Sequence, residues 1–576
     1  MNSELLDNLR HSCAHLLAKA VLDLWPGSHN AIGPAIENGF YQDFDMGNVK
    51  VSEADLPKIE KKMRDILKGW THFEYKEVNL QEARELFAHN PYKIELLEEF
   101  AKDGKKLLTN NPGGFLDLCK MTHVENPNKE MQHFKLLSIA GAYWRGSEKN
   151  KMLTRIYGTI WPTQKELDDY LNMLEESKKR DHKKLGPTLE LFMFHETAPG
   201  MPYWLPKGLI ILNELISFWR QEHIKRAYQE IKSPLINKKE LYETSGHWDH
   251  YRENMFISEI EEGEIYALKP MNCPNAMIVF GSRTRSYKEF PLRLSDTDTL
   301  HRFELSGTLN GLMRVREFSQ DDAHIFVTED QIKQEFENLF EVTELFYSIF
   351  GLKYHYRLGT RPEKFMGDPK VWIKAEDQLK DILEKSGKEN SVLEGDGAFY
   401  GPKIDIIMKD SLGRQWQMGT LQLDFQIPQR FNLKYAAADG TQKTPVVIHR
   451  VIYGSLERFI GILIEHYAGA FPTWLAPVQT VVMPISDKHQ EYAQKVVEQL
   501  KEAGVRVELN DKNEPLNARI RDTQMQKIPY ILVVGDKEIE ANTVSVRRRH
   551  SRNTQTHPVS DFISTLKQEI ANRTNN

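Results

Sequence analysis

Three cysteines in 576 residues, Cys13, Cys119 and Cys273, are too few and too scattered, and odd in number, for a disulfide framework. They stay available as ligands, reactive groups or core filler. No uninterrupted apolar run approaches the roughly 18 to 20 residues of a spanning helix. The opening MNSELLDNLRHSCAH lacks the basic-then-apolar order of a signal peptide. The expected compartment is the cytoplasm, with no membrane partner. Also missing are internal repeats, low-complexity tracts and any GxxxxGK[ST] or GxGxxG phosphate loop. A nucleotide, if used, must be held by side chains. The net charge of −6 gives no global attraction to nucleic acid. RNA binding would have to come from local patches, Lys178 to Lys184 and Arg547 to Arg552, although a charge run is more often a solvated face.

What is present fits an ordinary globular protein: 40% hydrophobic and 27% charged residues exclude the disordered and collagen-like classes. The length exceeds one hydrophobic core, so several domains are expected. In residues 1–161, the stretch from Glu4 to Leu24 has helical periodicity. Leu5, Leu9, Cys13, Leu16, Leu17, Ala20 and Leu24 form one stripe, with His11 and His15 together on the opposite face. Residues 162–187 read as a charged linker helix stopped by Gly186-Pro187. Residues 188–477 mix short apolar strands and helices without a βαβ rhythm, which predicts an antiparallel sheet flanked by helices. From 478 to 576 the alternation of strand and helix predicts a small α/β domain. The fold class is α+β and multidomain.

The densest chemistry is HRFELSG at His301 to Gly307, MRVREFSQDDAH at Met313 to His324, and GSLERF at Gly454 to Phe459. Without a glycine-rich cradle, planar arginines with paired donors are the natural grip for a triphosphate. Two strands joined by a loop would bring Arg302 and Arg314 together. Cys273, His324 and His449 match no zinc-finger spacing and read, on spacing alone, as a buried cysteine and two satisfied histidines.

HRFELSG...MRVREFSQDDAH resembles motif 2 of class II aminoacyl-tRNA synthetases, and GSLERF resembles motif 3. KSPLINKKELYETSGHW resembles motif 1, while KPMNCP, GAFYGPKID, GTLQLDF and FPTWLAPVQ are similar to the bacterial-type threonyl-tRNA synthetase core. The resemblance runs nearly end to end. It implies a class II antiparallel core, an N-terminal α/β editing domain, a C-terminal α/β anticodon-binding domain and a homodimer joined through motif 1. The implied activity uses ATP and Mg²⁺ to activate L-threonine and load it onto tRNA(Thr). Arg302 would grip the α-phosphate and Arg458 the far end of ATP. Phe318 would stack on adenine, Glu304 would meet the base edge, and Arg314, Lys403, Gln417, Thr420 and Ser455 would complete the nucleotide site. The resemblance also turns Cys273, His324 and His449 into ligands of one Zn²⁺ per subunit, with Gln320, Asp322, Tyr400 and Gln422 around the bound threonine.

A zinc that demands a hydroxyl rejects valine but not serine, and a missing methyl is worth only about 1 to 3 kcal/mol. A correcting site is therefore expected. The His11/His15 and Cys119/His123 pairs resemble the HxxxH and CxxxH pairs of the threonyl editing domain, with Lys93 and Asp117 in the same pocket. Two such pairs also suit a metal, which related alanyl editing domains bind; the threonyl resemblance favours a metal-free site. Glu538 and Arg547 match anticodon-reading positions, in the stretch GDKEIEANTVSVRRR. The chain departs from the family pattern at Lys120-Met121-Thr122 (usually Arg-Gly-Pro), Asn310 (His), Glu317 (Gly) and Asn275-Ala276 (Gly-His). The family's usual small β-rich domain ahead of the editing domain has no room here. A rival reading, a non-catalytic RNA-binding paralogue acting as a regulator, predicts lost motif arginines or metal ligands, and all of these are present.

Overall fold

The structure is a computed structural model that describes residues 3–119, 123–410, 413–551 and 553–574. The chain divides into two compact units, Met1–Glu175 and Glu176–Asn576.

In the first unit an antiparallel sheet runs in the order His29–Asn30, Gly39–Asp45, Met152–Trp161, His133–Tyr143. Helices Ser3–Leu24 and Leu56–Leu67 pack against it. The second of these is amphipathic: Leu56, Ile59, Met63 and Leu67 recur every three or four residues and are buried. They join Phe40, Phe44, Phe134, Ile156 and Ile160 in one core. Each such side chain contributes about 1.5 to 3 kcal/mol by leaving water. The predicted first helix forms, but its burial is broader than one stripe. Leu5 is exposed, whereas Ser12, Ala14, His15 and Ala18 are buried with the stripe. The face opposite the stripe is covered by the strand segment Asp117–Leu118 and the residues beside it, since His15 meets Asp117 and Cys119.

The charged stretch after 162 is not one helix. Gln164–Arg180 ends, and Asp181 starts a new helix, His182–Thr188, by accepting from Lys183 N. Gly186 and Pro187 lie inside that short helix rather than stopping the first.

The second unit is built on a nine-stranded sheet, mainly antiparallel as expected, with parallel pairs only near its edges. Helices Pro206–Lys225, Ile332–Ser348, Pro369–Ser386 and Leu456–His466 supply its apolar cover. The central strand Val446–Ser455 is almost wholly buried, so its sequence is nearly continuous in apolar residues. Its two polar neighbours, His449 and Arg450, point to opposite faces. Arg450 bonds Asp321 and His223 on one side, which leaves His449 for the other. The C-terminal part is a five-stranded sheet. Thr480–Pro484, Val507–Leu509 and Tyr530–Val534 run parallel, and Thr543–Arg548 and Thr554–Pro558 continue it antiparallel.

Candidate functional site

The central sheet aligns the first set of predicted residues. Strand Glu317–Val327 pairs with Val446–Ser455 so that His324 lies opposite His449 and Gln320 opposite Ser455. Strand Gln415–Asp424 places Gln422 opposite His449 on its other side. Because side chains alternate, Phe318, Gln320, Asp322 and His324 share one face. On it opens a cavity of about 460 Å³. Arg302, Glu304, Arg314, Phe318, Gln320, Asp322, Tyr400, Gln417, Thr420, Gln422, Ser455 and Arg458 line it, together with Cys273 and His449. Of the residues assigned to this region, only Lys403 and His324 are not on the wall.

One end of the cavity is cationic. Arg302 lies over the Phe318 ring at 5.0 Å and donates to Pro270 O at 3.1 Å. Arg314 donates to Glu304 at 2.9 Å, and Arg458 to Met313 O at 2.9 Å and Gln417 O at 3.2 Å. Burial first, and then the Arg314 and Arg302 charges, hold the Arg458 guanidinium below its ordinary pKa. Three guanidiniums around one space ask for an anion. Buried Asp405 organises the flank. It accepts from Gln417 at 2.8 Å and Thr420 at 3.0 Å, and it pairs with Lys403 and Arg357, both at 3.1 Å. Lys403 is thereby tied to two wall residues.

The other end holds Cys273, His324 and His449, whose ligand atoms lie within 4.8 Å of one another. Neither ring nitrogen of His324 has a hydrogen-bond partner among the described residues, nor does His449 Nδ1. His449 Nε2 meets Asp424 at 2.9 Å, the kind of outer carboxylate that orients a metal-binding imidazole. Burial and the neighbouring His449 and Arg450 lower the His324 pKa, so the imidazole is neutral and able to ligate. Burial and nearby Asp322 push the Cys273 thiol up, a cost that a divalent cation would reverse. These donors fit a tetrahedral metal with an open position. Asp322 accepts from Asn272 at 3.2 Å, beside the triad.

A second cluster sits in the first unit. His11 Nε2 is 2.7 Å from Cys119 Sγ, His15 Nε2 is 3.2 Å from it, and His123 Nε2 3.5 Å. Behind His15 stands Asp117 at 3.1 Å, paired in turn with Lys93 at 2.6 Å. Tyr75 OH meets His123 Nδ1 at 2.8 Å. Burial alone would discharge His15, but the Cys119 charge and the Asp117 bond raise it to about 9. Burial would likewise raise Cys119, yet His15 and the histidine hydrogen bonds take it down to about 3. Burial foremost lowers His123 to about 4. The result is a thiolate–imidazolium pair beside a neutral imidazole. All six residues expected at this site are together. Residues 120–122, where the turn departs from the family pattern, lie outside the described residues.

In the C-terminal sheet, Glu538 accepts from Gly535 N at 2.9 Å and from Ser545 Oγ at 2.7 Å. Ser545 and Arg547 are two apart on one strand, so Glu538 and Arg547 share a face. Arg552 of the expected basic patch lies outside the described residues.

Three family models match parts of the chain. Residues 256–467 match the tRNA synthetase class II core domain (G, H, P, S and T), 479–569 an anticodon binding domain, and 110–157 the threonyl and alanyl tRNA synthetase second additional domain. A threonine–tRNA ligase from Thermotoga maritima is 52% identical over 98% of this chain and 88% of its own length. One from Clostridium tetani is 51% identical over the same shares. The chain belongs to the threonine–tRNA ligase family. Among solved structures, the RNA binding domain of threonyl-tRNA synthetase from Cryptosporidium parvum Iowa II is 41% identical. It aligns with a TM-score of 0.66 and covers 68% of this chain and 98% of its own.

Within the threonine–tRNA ligase family pattern, two of the substituted positions make local hydrogen bonds. Asn310 accepts from Lys183 at 3.1 Å, and Glu317 meets His301 at 2.9 Å. Ala276 is buried, and so is Asn275, whose Nδ2 has no partner among the described residues. Sequence reasoning missed Asp405 and Asp424, although both stood inside quoted motifs. Each follows an assigned residue by two, Lys403 and Gln422, so strand alternation carried the signal. It also missed Tyr75, for which no signal was available.

Proposed function

We propose that this protein is a threonine–tRNA ligase, activating L-threonine with ATP and Mg²⁺, transferring it to tRNA(Thr), and hydrolysing mischarged Ser-tRNA(Thr) in its first unit. The observation that carries the reading is a single cavity lined by three guanidiniums and by Cys273 and His449, with His324 within ligand distance of those two. Threonine–tRNA ligases about half identical over nearly the whole chain support it.

Arg302 holds the α-phosphate and the threonine carboxylate, Arg458 the far phosphates, and Phe318 the adenine face, with Glu304 at its edge. Arg314, Lys403, Gln417, Thr420 and Ser455 complete the nucleotide site. A carboxylate oxygen attacks the α-phosphorus in line; a C–O–P bond forms and pyrophosphate leaves. No covalent enzyme intermediate is needed, because alignment and charge neutralisation supply the rate. Zn²⁺ held by Cys273, His324 and His449 would supply Lewis-acid coordination to the substrate amine and hydroxyl. Asp322 accepts from those groups, and Gln320, Tyr400 and Gln422 close the pocket. Valine offers a methyl where the oxygen is required and is rejected; serine is not.

At the second site, His11, His15, Cys119 and His123 position and activate a water at the seryl ester, with Asp117 and Lys93 fixing His15. The metal-free reading rests on the resemblance to threonyl editing domains; the four ligand atoms lie within 4.8 Å of one another, so metal analysis of the purified protein tests it. Glu538 and Arg547 read the anticodon. A homodimer through the motif 1 region is supported by exposed Ile236, Ile257 and Ile260 in that small sheet. No helix among the described residues is long and apolar enough to cross a membrane. Charging of tRNA(Thr) with labelled threonine tests the reading as a whole; absence of threonyl-tRNA would sink it.

A further inference from the structure

The loop that carries Met313 and Arg314 is gripped from outside the cavity. His182, in the first turn of His182–Thr188, is 1% exposed. Its Nδ1 stands 2.7 Å from Glu465 Oε1, and its Nε2 accepts from Leu312 N at 3.1 Å. A backbone N–H can only donate, so Nε2 carries the lone pair and Nδ1 the proton. Two neighbours thus fix one tautomer. The anchor is itself held: Glu465, on helix Leu456–His466, also accepts from His182 N at 3.3 Å and from Arg414. Lys183 Nζ ties the loop again through Asn310, at 3.1 Å. The loop lies hard against the imidazole. Gly311 has φ +51°, and a Cβ there would come within 2.2 Å of His182 Nε2.

The grip leads directly to the cationic end of the cavity. One residue beyond Leu312, the carbonyl of Met313 accepts from Arg458 Nε at 2.9 Å, and the next residue, Arg314, lines the wall. We propose that His182 is a positioning residue for adenylate formation. By holding Leu312 N it fixes the Met313 carbonyl, and through that carbonyl the Arg458 guanidinium that receives ATP. This rests on the ATP reading given under Proposed function. His182 itself touches no reacting atom.

Two amide variants separate its two bonds. His182→Asn keeps a donor near Nδ1 for Glu465 but offers Leu312 no acceptor, whereas His182→Gln places its amide oxygen where Nε2 stands. In threonine-dependent ATP–pyrophosphate exchange with the full chain, His182→Asn should raise the KM for ATP about three- to tenfold, the effect of one lost hydrogen bond. The KM for threonine should hold within about twofold, and His182→Gln should restore the parent KM for ATP. Should His182→Asn fail to fold, Gly311→Ala, which pushes the same loop off an intact imidazole, should give the same split. Equal impairment by Asn and Gln would overturn the proposal, and so would an unchanged KM for ATP in His182→Asn or Gly311→Ala. A parent protein without threonine-dependent exchange would overturn the ligase reading on which it stands.

Discussion

Asp117→Asn removes the one carboxylate on which the correcting site is built. Its side chain is 2% exposed and its partner Lys93 6%. It accepts from Lys93 at 2.6 Å, from His15 at 3.1 Å and from Asn30 at 3.1 Å. An asparagine amide can serve one or two of these donors, but it leaves the Lys93 ammonium buried without a counter-charge. Breaking a buried pair from one side costs about 3 to 5 kcal/mol, while replacing both partners by neutral groups costs far less. In the full chain, amide exchange in helix Ser3–Leu24 should therefore accelerate by about a hundredfold or more, measured by hydrogen–deuterium exchange. Adding Lys93→Met should recover at least about half of that loss. Ser-tRNA(Thr) hydrolysis should fall in both variants, since neither retains the negative charge behind His15, while ATP–pyrophosphate exchange stays at the parent level. Equal exchange in the single and double variants would show that the damage does not come from an orphaned charge.

The same cluster sets a pH dependence with a definite sign. Between about pH 6.5 and 9 the His15–Cys119 pair binds one proton whether folded (on His15) or unfolded (on the thiol), so it adds no slope. Below about 6.5 the unfolded pair binds two against one. His123, lowered to about 4, adds another on the unfolded side. First-unit stability should thus be flat near neutrality and fall as pH drops from 6.5 toward 4, by at most about 3 kcal/mol per unit. Exchange protection that rises on acidification would contradict this. Cys273→Ser should lose zinc, read by metal analysis, and with it threonine activation, while Ser-tRNA hydrolysis persists. Arg458→Lys should lower kcat in the exchange reaction by about a hundredfold, because an ammonium cannot keep the Met313 and Gln417 carbonyl contacts and also meet phosphate with two donors. His11→Ala with His15→Ala should leave charging intact and let Ser-tRNA accumulate, seen by acid gel.

What the sequence revealed and what it hid follow from the range of the signals. Periodicity and alternation are local, so the first helix, the antiparallel centre and the strand–helix alternation of the last domain could be read directly. The triad could not: His324 and His449 meet because two strands pair in a register that no short window contains, and Cys273 joins them from the start of helix Cys273–Gly281. The linker was misread because Gly186-Pro187 is a strong local stop, whereas the actual break is set by Asp181 capping a new turn. That break matters, since it aims His182 at Leu312 and Glu465. The face of the first helix bearing His11 and His15 lies opposite the apolar stripe, and periodicity alone could not show that residues more than a hundred positions away cover it.

ATP–pyrophosphate exchange with threonine, serine and valine on the full chain tests the central claim most directly. Threonine should drive strong exchange, serine weaker but clear exchange, and valine almost none, all lost when zinc is removed. Exchange driven by valine as readily as by threonine, or none with threonine, would contradict it.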